Sequence, residues 1–282
     1  MDTPETSSNI DIPTVEAFGQ EWATFDQSDL PKEEQERLFS AYFSLFPWTS
    51  LPQNAEGFDL GCGSGRWAEL VAPHVGQLHC IDASEAALDV TRRRLKNAPN
   101  VSFHLASVDA IPLRDQSQDF GYSIGVLHHV PDTLSGLIAC VRKLKNGAPF
   151  LLYIYYRFDN RPIWYQRLWQ ASDAARRMIS AFPFWLRRAC AAAIAALIYW
   201  PLARSARLAE ALGLNAETWP VSAYRHASFY SMRTDALDRF GTRLEQRFTR
   251  LEIEAMMRAA GLDEIQFRDG VPYWVAVGRK SL

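Results

Sequence analysis

Three glycines at alternate positions, Gly61, Gly63 and Gly65, follow a short apolar run ending in Phe58-Asp59-Leu60. Glycine has no Cβ, so such a turn bends sharply and lets its backbone touch a ligand. The residues from about Ser64 read as the start of a helix. Its free N–H groups and positive dipole end would face the same ligand. A dinucleotide fingerprint needs its third glycine at position 66, where Arg66 stands. Asp59 beside the turn would repel a pyrophosphate and suits an ammonium group. A second carboxylate, Asp82, ends the run Gln77–Asp82 and follows Gly61 by 21 residues. At that spacing an acid takes both hydroxyls of a ribose. The pieces call for a nucleoside-like ligand with an amino group and no phosphate.

Stepping outward, short apolar runs alternate with helical stretches. Gln77–Asp82, Val101–Leu105, Asp119–Ile124 and Ala148–Tyr156 read as strands after the first, and Ser84 opens a helix that runs to Leu95. That alternation predicts a parallel α/β sheet with helices on both faces. Thr249 and Glu252 form a capping box for a helix ended by Gly261, and 264–267 with 273–277 read as a closing hairpin.

The ordered set D-L-G-C-G-S-G (59–65), I-D-A-S (81–84), S-V-D-A-I-P-L (107–113), D-F-G-Y-S-I-G-V-L-H-H-V (119–130), L-K-N-G-A (144–148) and F-T-R-L-E-I-E-A-M-M-R-A-A-G-L (248–262) resembles the class I S-adenosylmethionine (SAM)-dependent methyltransferases. The likeness is greatest to the ubiquinone/menaquinone-type and small-molecule branch, over about residues 55–156 and 245–280. It implies a Rossmann-like doubly wound seven-stranded sheet of order 3-2-1-4-5-7-6 with strand 7 antiparallel. It also implies site roles. Gly61, Gly63 and Gly65 would hold the methionine part, with Asp59 near its amino group; Asp82, beside Ala83, would take the ribose. Asp109 would accept from the adenine amino group beside Val108, and Gly125, Val126 and Leu127 would floor the pocket near the sulfonium. Asn146-Gly147-Ala148 stands where many relatives have Pro-Gly-Gly, away from the cofactor.

Methyl transfer needs alignment and exclusion of water, and an O–H or C–H acceptor also needs a base. His128 is the favoured base, following Val126-Leu127; His226 and Tyr230, in Tyr224–Tyr230, are the competitors. His128, His129 and Asp132 could suggest a metal, but Pro131-Asp132 reads more simply as a turn and helix N-cap, so no metal is expected. The function expected is SAM-dependent methylation of a small organic or lipid-like acceptor, on O or C. The alternatives are a non-catalytic SAM-binding regulator and an NAD-dependent oxidoreductase, the latter disfavoured by Arg66 and Asp59.

Residues 1–13 are polar and read as a disordered tail, and 14–156 with 248–282 as the core. Val15, Phe18, Trp22 and Phe25, then Leu38, Phe39, Tyr42, Phe43 and Phe46, form helical stripes that would pack into the core or cover the site as a lid. The long stretch 157–247 is a helical insertion after strand 5, where an acceptor would bind. Within it, Ala189–Ala203 is wholly apolar or aromatic, shorter than the roughly 20 residues of a spanning helix. A buried cap helix is the first reading; its flanking Arg187, Arg188, Arg204 and Arg207 also allow peripheral membrane contact through 185–207. A net charge of −2 gives no drive toward nucleic acid. Four cysteines without paired spacing, and a polar N-terminus without an apolar run, lead to the expectation of a cytoplasmic protein.

Overall fold

The computed structural model describes residues 8–217 and 219–282. Its frame is one sheet of seven strands: β1 (Glu56–Leu60), β2 (Gln77–Asp82), β3 (Val101–Leu105), β4 (Phe120–Ile124), β5 (Pro149–Tyr153), β6 (Leu262–Phe267) and β7 (Val275–Lys280). They lie in the order β3-β2-β1-β4-β5-β7-β6. The first five are parallel, and β7 runs antiparallel between β5 and β6. Fold class and strand order are those implied by the resemblance.

Alternation along the strands assigns the two faces. Phe58, Leu60, Phe150 and Leu152 pack on one side with Leu137 and Val141 of helix α5 (Thr133–Lys143) and with Ile253 and Met257 of α10 (Arg250–Ala259). Leu78, Cys80, Phe120, Tyr122 and Leu151 pack on the other, against Leu88 of α4 (Glu85–Arg94) and against Phe43, Phe46 and Trp67. Ser84 caps α4, and Thr249 with Glu252 closes the capping box of α10.

The two N-terminal stripes part company. The α2 helix (Lys32–Tyr42) and the turn after it send Phe43 and Phe46 into the core. Helix α1 (Ile12–Thr24) instead lies over the carboxyl edge of the sheet. Of the expected disordered tail, residues 1–7 lie outside the described residues. Ser8–Pro13 are held: Asn9 exchanges hydrogen bonds with the Asp132 backbone in both directions, at 2.8 Å each, and Asp11 caps α1.

The helix expected from about Ser64 is a second difference. Gly63 and Gly65 sit at φ +55° and +72°, outside the right-handed helical region, so α3 begins only at Ala68 and ends at Val71. So short a helix leaves the turn's own backbone as the ligand-binding element.

The insertion leaves and rejoins the sheet at one point. Arg157 N–H donates to Phe248 O at 2.9 Å, and Phe248 N–H to Tyr155 O at 3.0 Å. Between them run α6 (Ile163–Ile179), α7 (Phe184–Ile194), α8 (Trp200–Ala211) and α9 (Phe229–Gly241). Pro201 does not break the chain of helix. A π-helical turn at Ala195–Tyr199, closed by Trp200 N–H donating to Ala195 O, precedes the proline, and 184–211 is one continuous helix.

Candidate active site

The strands β1 and β4 diverge in their connections, so their carboxyl ends leave a crevice at the point where ligands of open α/β sheets bind. A cleft lies there. Its floor is Leu60, Gly61, Ile124, Gly125 and Val126; one wall is Asp82, Ala83 and Val108; its roof is Val15, Phe18 and Trp22 of α1. Gly61 must be glycine twice over: its φ is +75°, and a Cβ would lie 2.3 Å from Val126 Cγ2. Gly63 is pressed the same way, a Cβ there falling 3.0 Å from the Trp22 ring. Asp82 holds the turn in shape, accepting from Gly63 N–H and Ser84 N–H at 2.9 Å each. Each oxygen keeps lone-pair capacity for a ligand hydroxyl. Burial raises the Asp82 pKa, and the backbone N–H groups oppose it.

Residues 58–152 match the family described as a methyltransferase domain. This chain carries a class I SAM-dependent methyltransferase domain. Ubiquinone biosynthesis O-methyltransferase of Alkalilimnicola ehrlichii is 35% identical to it over 92 residues, covering 32% of this chain and 37% of that protein. The enzyme of the same description from Nitrosospira multiformis is 27% identical over 160 residues, 55% of this chain and 64% of that one. An uncharacterized 37.1 kDa protein in transposon TN4556 of Streptomyces fradiae is 35% identical over 98 residues, 33% of this chain and 28% of that one. The chain therefore spans less than two thirds of the length of these curated relatives. In fold, it is similar to a chain of the complex between the Haloferax volcanii Trm112 methyltransferase activator and a methyltransferase, at TM-score 0.53 and 15% identity, covering 94% of this chain and 98% of that one. It is likewise similar to Haemonchus contortus phosphoethanolamine N-methyltransferase 2, at TM-score 0.52 and 16% identity, covering 91% and 43%.

The methyltransferase cleft fits SAM on the residues present. Gly61, Asp82, Ala83, Val108, Gly125 and Val126 converge on it. A Cβ at Gly125 would meet nothing within 4 Å, so the floor is open toward the cleft. Other expected contacts stand elsewhere. Asp59 is buried behind the turn against Tyr122, where burial pushes its pKa up to about 8. Leu127 is wholly inside the core. Asp109 stands at the cleft's edge; its carboxylate accepts from Asn9 N–H at 3.0 Å and from the Ser107 hydroxyl. These bonds, Ser107's first, lower its pKa.

The structure places the two histidines differently from the sequence expectation. His128 is buried away from the cleft, between His129 and Tyr155, with ring centroids 3.9 Å from each. His129 lines the methyltransferase cleft instead. Its Nδ1 lies 2.7 Å from Leu244 O, a partner that can only accept, so Nδ1 carries the proton and Nε2 is a free acceptor. The end of the insertion clamps this turn further, as Gln246 N–H donates to His128 O at 2.9 Å and its side chain to Val130 O at 2.7 Å. Burial lowers the His129 pKa to about 4, so the ring is neutral at pH 7.

His129 Nε2 faces Asp238 Oδ1 of α9 at 3.9 Å, and neither atom has a hydrogen-bond partner. The other Asp238 oxygen accepts from the Tyr155 hydroxyl. The Asp238 side chain keeps 23% exposure, yet burial pushes its pKa up to about 6. Asp235, one helical turn before it and hydrogen-bonded by Tyr224, is likewise at about 6. Glu21 of α1 is raised well above the carboxylate range by burial and by these two acids. Arg66, stacked 4.4 Å from the Trp67 ring, supplies the neighbouring positive charge.

His226 and Tyr230 do not reach this place. His226 is on the surface, 2.7 Å from Glu210. The Tyr230 hydroxyl accepts from Gln27 N–H at 3.0 Å and ties α9 to the segment after α1. Sequence reading missed Asp235 and Asp238 because acids three apart on a helix ordinarily mark a solvated face. The available signal was their register with Ser231 and Thr234, which are buried.

Proposed function

We propose that the protein transfers the methyl group of SAM to a hydroxyl oxygen of a small organic acceptor. The observation that carries this is a pair of buried, unpartnered acceptors directly behind the cleft, His129 Nε2 and Asp238 Oδ1, the first of them on a residue that lines it. Two acceptors 3.9 Å apart with no donor between them call for donors on the substrate. A molecule with a hydroxyl beside a second O–H or N–H serves both. The O-methyltransferase relatives support oxygen as the methylated atom.

Bound SAM supplies an electrophilic methyl on a sulfonium. The chain's residues supply position and a proton acceptor. A base acts best with a pKa near the working pH. Asp238, at about 6, meets that condition better than His129, at about 4. Asp238 Oδ1 therefore takes the hydroxyl proton, and His129 Nε2 orients the neighbouring donor. The oxygen lone pair forms the new O–C bond as the C–S bond breaks toward sulfur, leaving S-adenosylhomocysteine. Phe18 and Trp22 roof the cleft and exclude water.

The test is turnover of labelled SAM with a methyl-accepting metabolite extract, beside calorimetric SAM binding. Asp238→Asn should lower turnover ~10²–10⁴-fold, the range of a lost general base. SAM affinity should stay within about threefold, or ~0.7 kcal/mol. Near-full turnover by Asp238→Asn refutes the assignment.

A further inference from the structure

The helix Phe184–Ala211 is 28 residues long and, among the described residues, the one long and apolar enough to cross a membrane by length and composition. At 1.5 Å per residue it spans about 42 Å. Only 22% of its most apolar window is buried, so it is not the buried cap helix that composition suggests. Its two sides are chemically distinct. Ala191, Ala195, Ala203, Ala206 and Ala209 face inward; the first three join Met232, Ala236 and Leu237 of α9. Outward stand Trp185 (70% exposed), Leu197 (76%), Ile198, Trp200 and Leu208.

The charges say what covers that face. No charged residue occurs from Ala189 to Ala203. Arg187 and Arg204 turn inward, donating to Gly241 O at 2.8 Å and to Arg225 O and Ala227 O at 3.0 Å. Arg188 and Arg207 are exposed, one beyond each end of the apolar stretch. The helix's one acid, Glu210, is paired with Arg225 and lies 2.7 Å from His226 Nε2. The outward face is thus apolar in the middle, with tryptophans along it and a free arginine near either end. Aromatic rings and arginines at the borders of an apolar stripe suit the headgroup level of a bilayer. A second copy packed antiparallel would bring Arg188 of one chain toward Arg207 of the other, like against like. The inward ties of Arg187 and Arg204 keep the helix on the protein, so it lies along a surface and does not cross.

We propose that the outward face of Phe184–Ala211 docks the protein on an anionic lipid surface, with Trp185, Leu197, Ile198 and Trp200 in the interface and Arg188 and Arg207 on the headgroups.

The test is co-sedimentation of the full chain with vesicles of phosphatidylcholine and phosphatidylglycerol, against phosphatidylcholine alone. The protein should bind the anionic vesicles more strongly. Leu197→Asp should lower partitioning at least about tenfold, or ~1.4 kcal/mol. Arg188→Gln and Arg207→Gln should each lower it about fivefold, or ~1 kcal/mol, on anionic vesicles only, with the difference fading at high salt. Thermal unfolding should be unchanged in all three, since the side chains are exposed; Ile198→Ser repeats the apolar arm should Leu197→Asp fold poorly. Absence of vesicle binding overturns the proposal. So does binding that Leu197→Asp and Ile198→Ser both leave intact. A dimer in sedimentation velocity that Leu197→Asp dissociates, without vesicle binding, assigns the face to a second copy and also overturns it.

Discussion

Replacing His129 by asparagine should change how stability depends on pH, by an amount the structure sets. The asparagine side-chain N–H can keep the bond to Leu244 O, while the Nε2 acceptor is lost. His129 titrates at about 4 in the fold and at about 6.5 in the unfolded chain. Its folded pKa is depressed, so its contribution is present above the unfolded value and is lost as pH falls. Below about pH 6.5 the unfolded state takes up a proton that the native state refuses, and stability declines until about pH 4. The gap of about 2.5 units corresponds to roughly 3 kcal/mol at 1.36 kcal/mol per unit. Between pH 7 and about pH 4.5, some 2 kcal/mol of the loss of unfolding free energy should belong to this one ring. Urea denaturation at both pH values, for wild type and His129→Asn, measures it. The mutant should lose less stability on acidification by about that amount. It should not become pH-independent, because burial also holds His128 well below the histidine range. If both proteins lose the same stability over this interval, His129 is not the buried neutral ring described here.

Four further outcomes follow from the same geometry. Asp82→Ala should weaken SAM by roughly 1.5–3 kcal/mol, the scale of hydrogen bonds to a charged group, measured by calorimetry. Gly61→Ala should destabilise by about 2 kcal/mol or more, since its positive φ and the Val126 contact both oppose a Cβ; the unfolding midpoint reports it. Tyr155→Phe removes the hydroxyl that lowers the Asp238 pKa, so the acid limb of the pH–turnover profile should move to higher pH. Thr249→Ala should cost about 0.5–2 kcal/mol of stability through the lost cap of α10, measured by denaturant titration.

What the sequence made legible was local. β2, β3 and the capping box of α10 can be read because period-2 apolarity, Ser84 and the Thr249/Glu252 pair are short-range signals. The glycine turn could be read as a ligand-binding element, but not the short α3 behind it, since two left-handed glycines delay the helix. The acceptor side was harder because it is assembled from far-apart pieces. Asp238 meets His129 across more than a hundred residues, and the choice between adjacent histidines turns on a bond to Leu244 that no local pattern announces. Ala189–Ala203 misled for a related reason: composition shows that a helix is apolar, and only packing shows whether anything lies against it.

The meeting of Tyr155, Arg157 and Phe248 has an evolutionary consequence. A segment whose ends are neighbours can be lengthened, shortened or exchanged without moving the strands on either side, and its closure entropy grows only slowly with length. Here the proposed base, Asp238, belongs to the segment, while His129 and the glycine turn belong to the sheet. On the proposed assignment, substrate choice and cofactor binding are encoded in separately replaceable stretches of gene. A lineage exchanging the segment would inherit a working methyl donor site at once, and would need to restore only the few contacts, Leu244 to His129 among them, that couple the two.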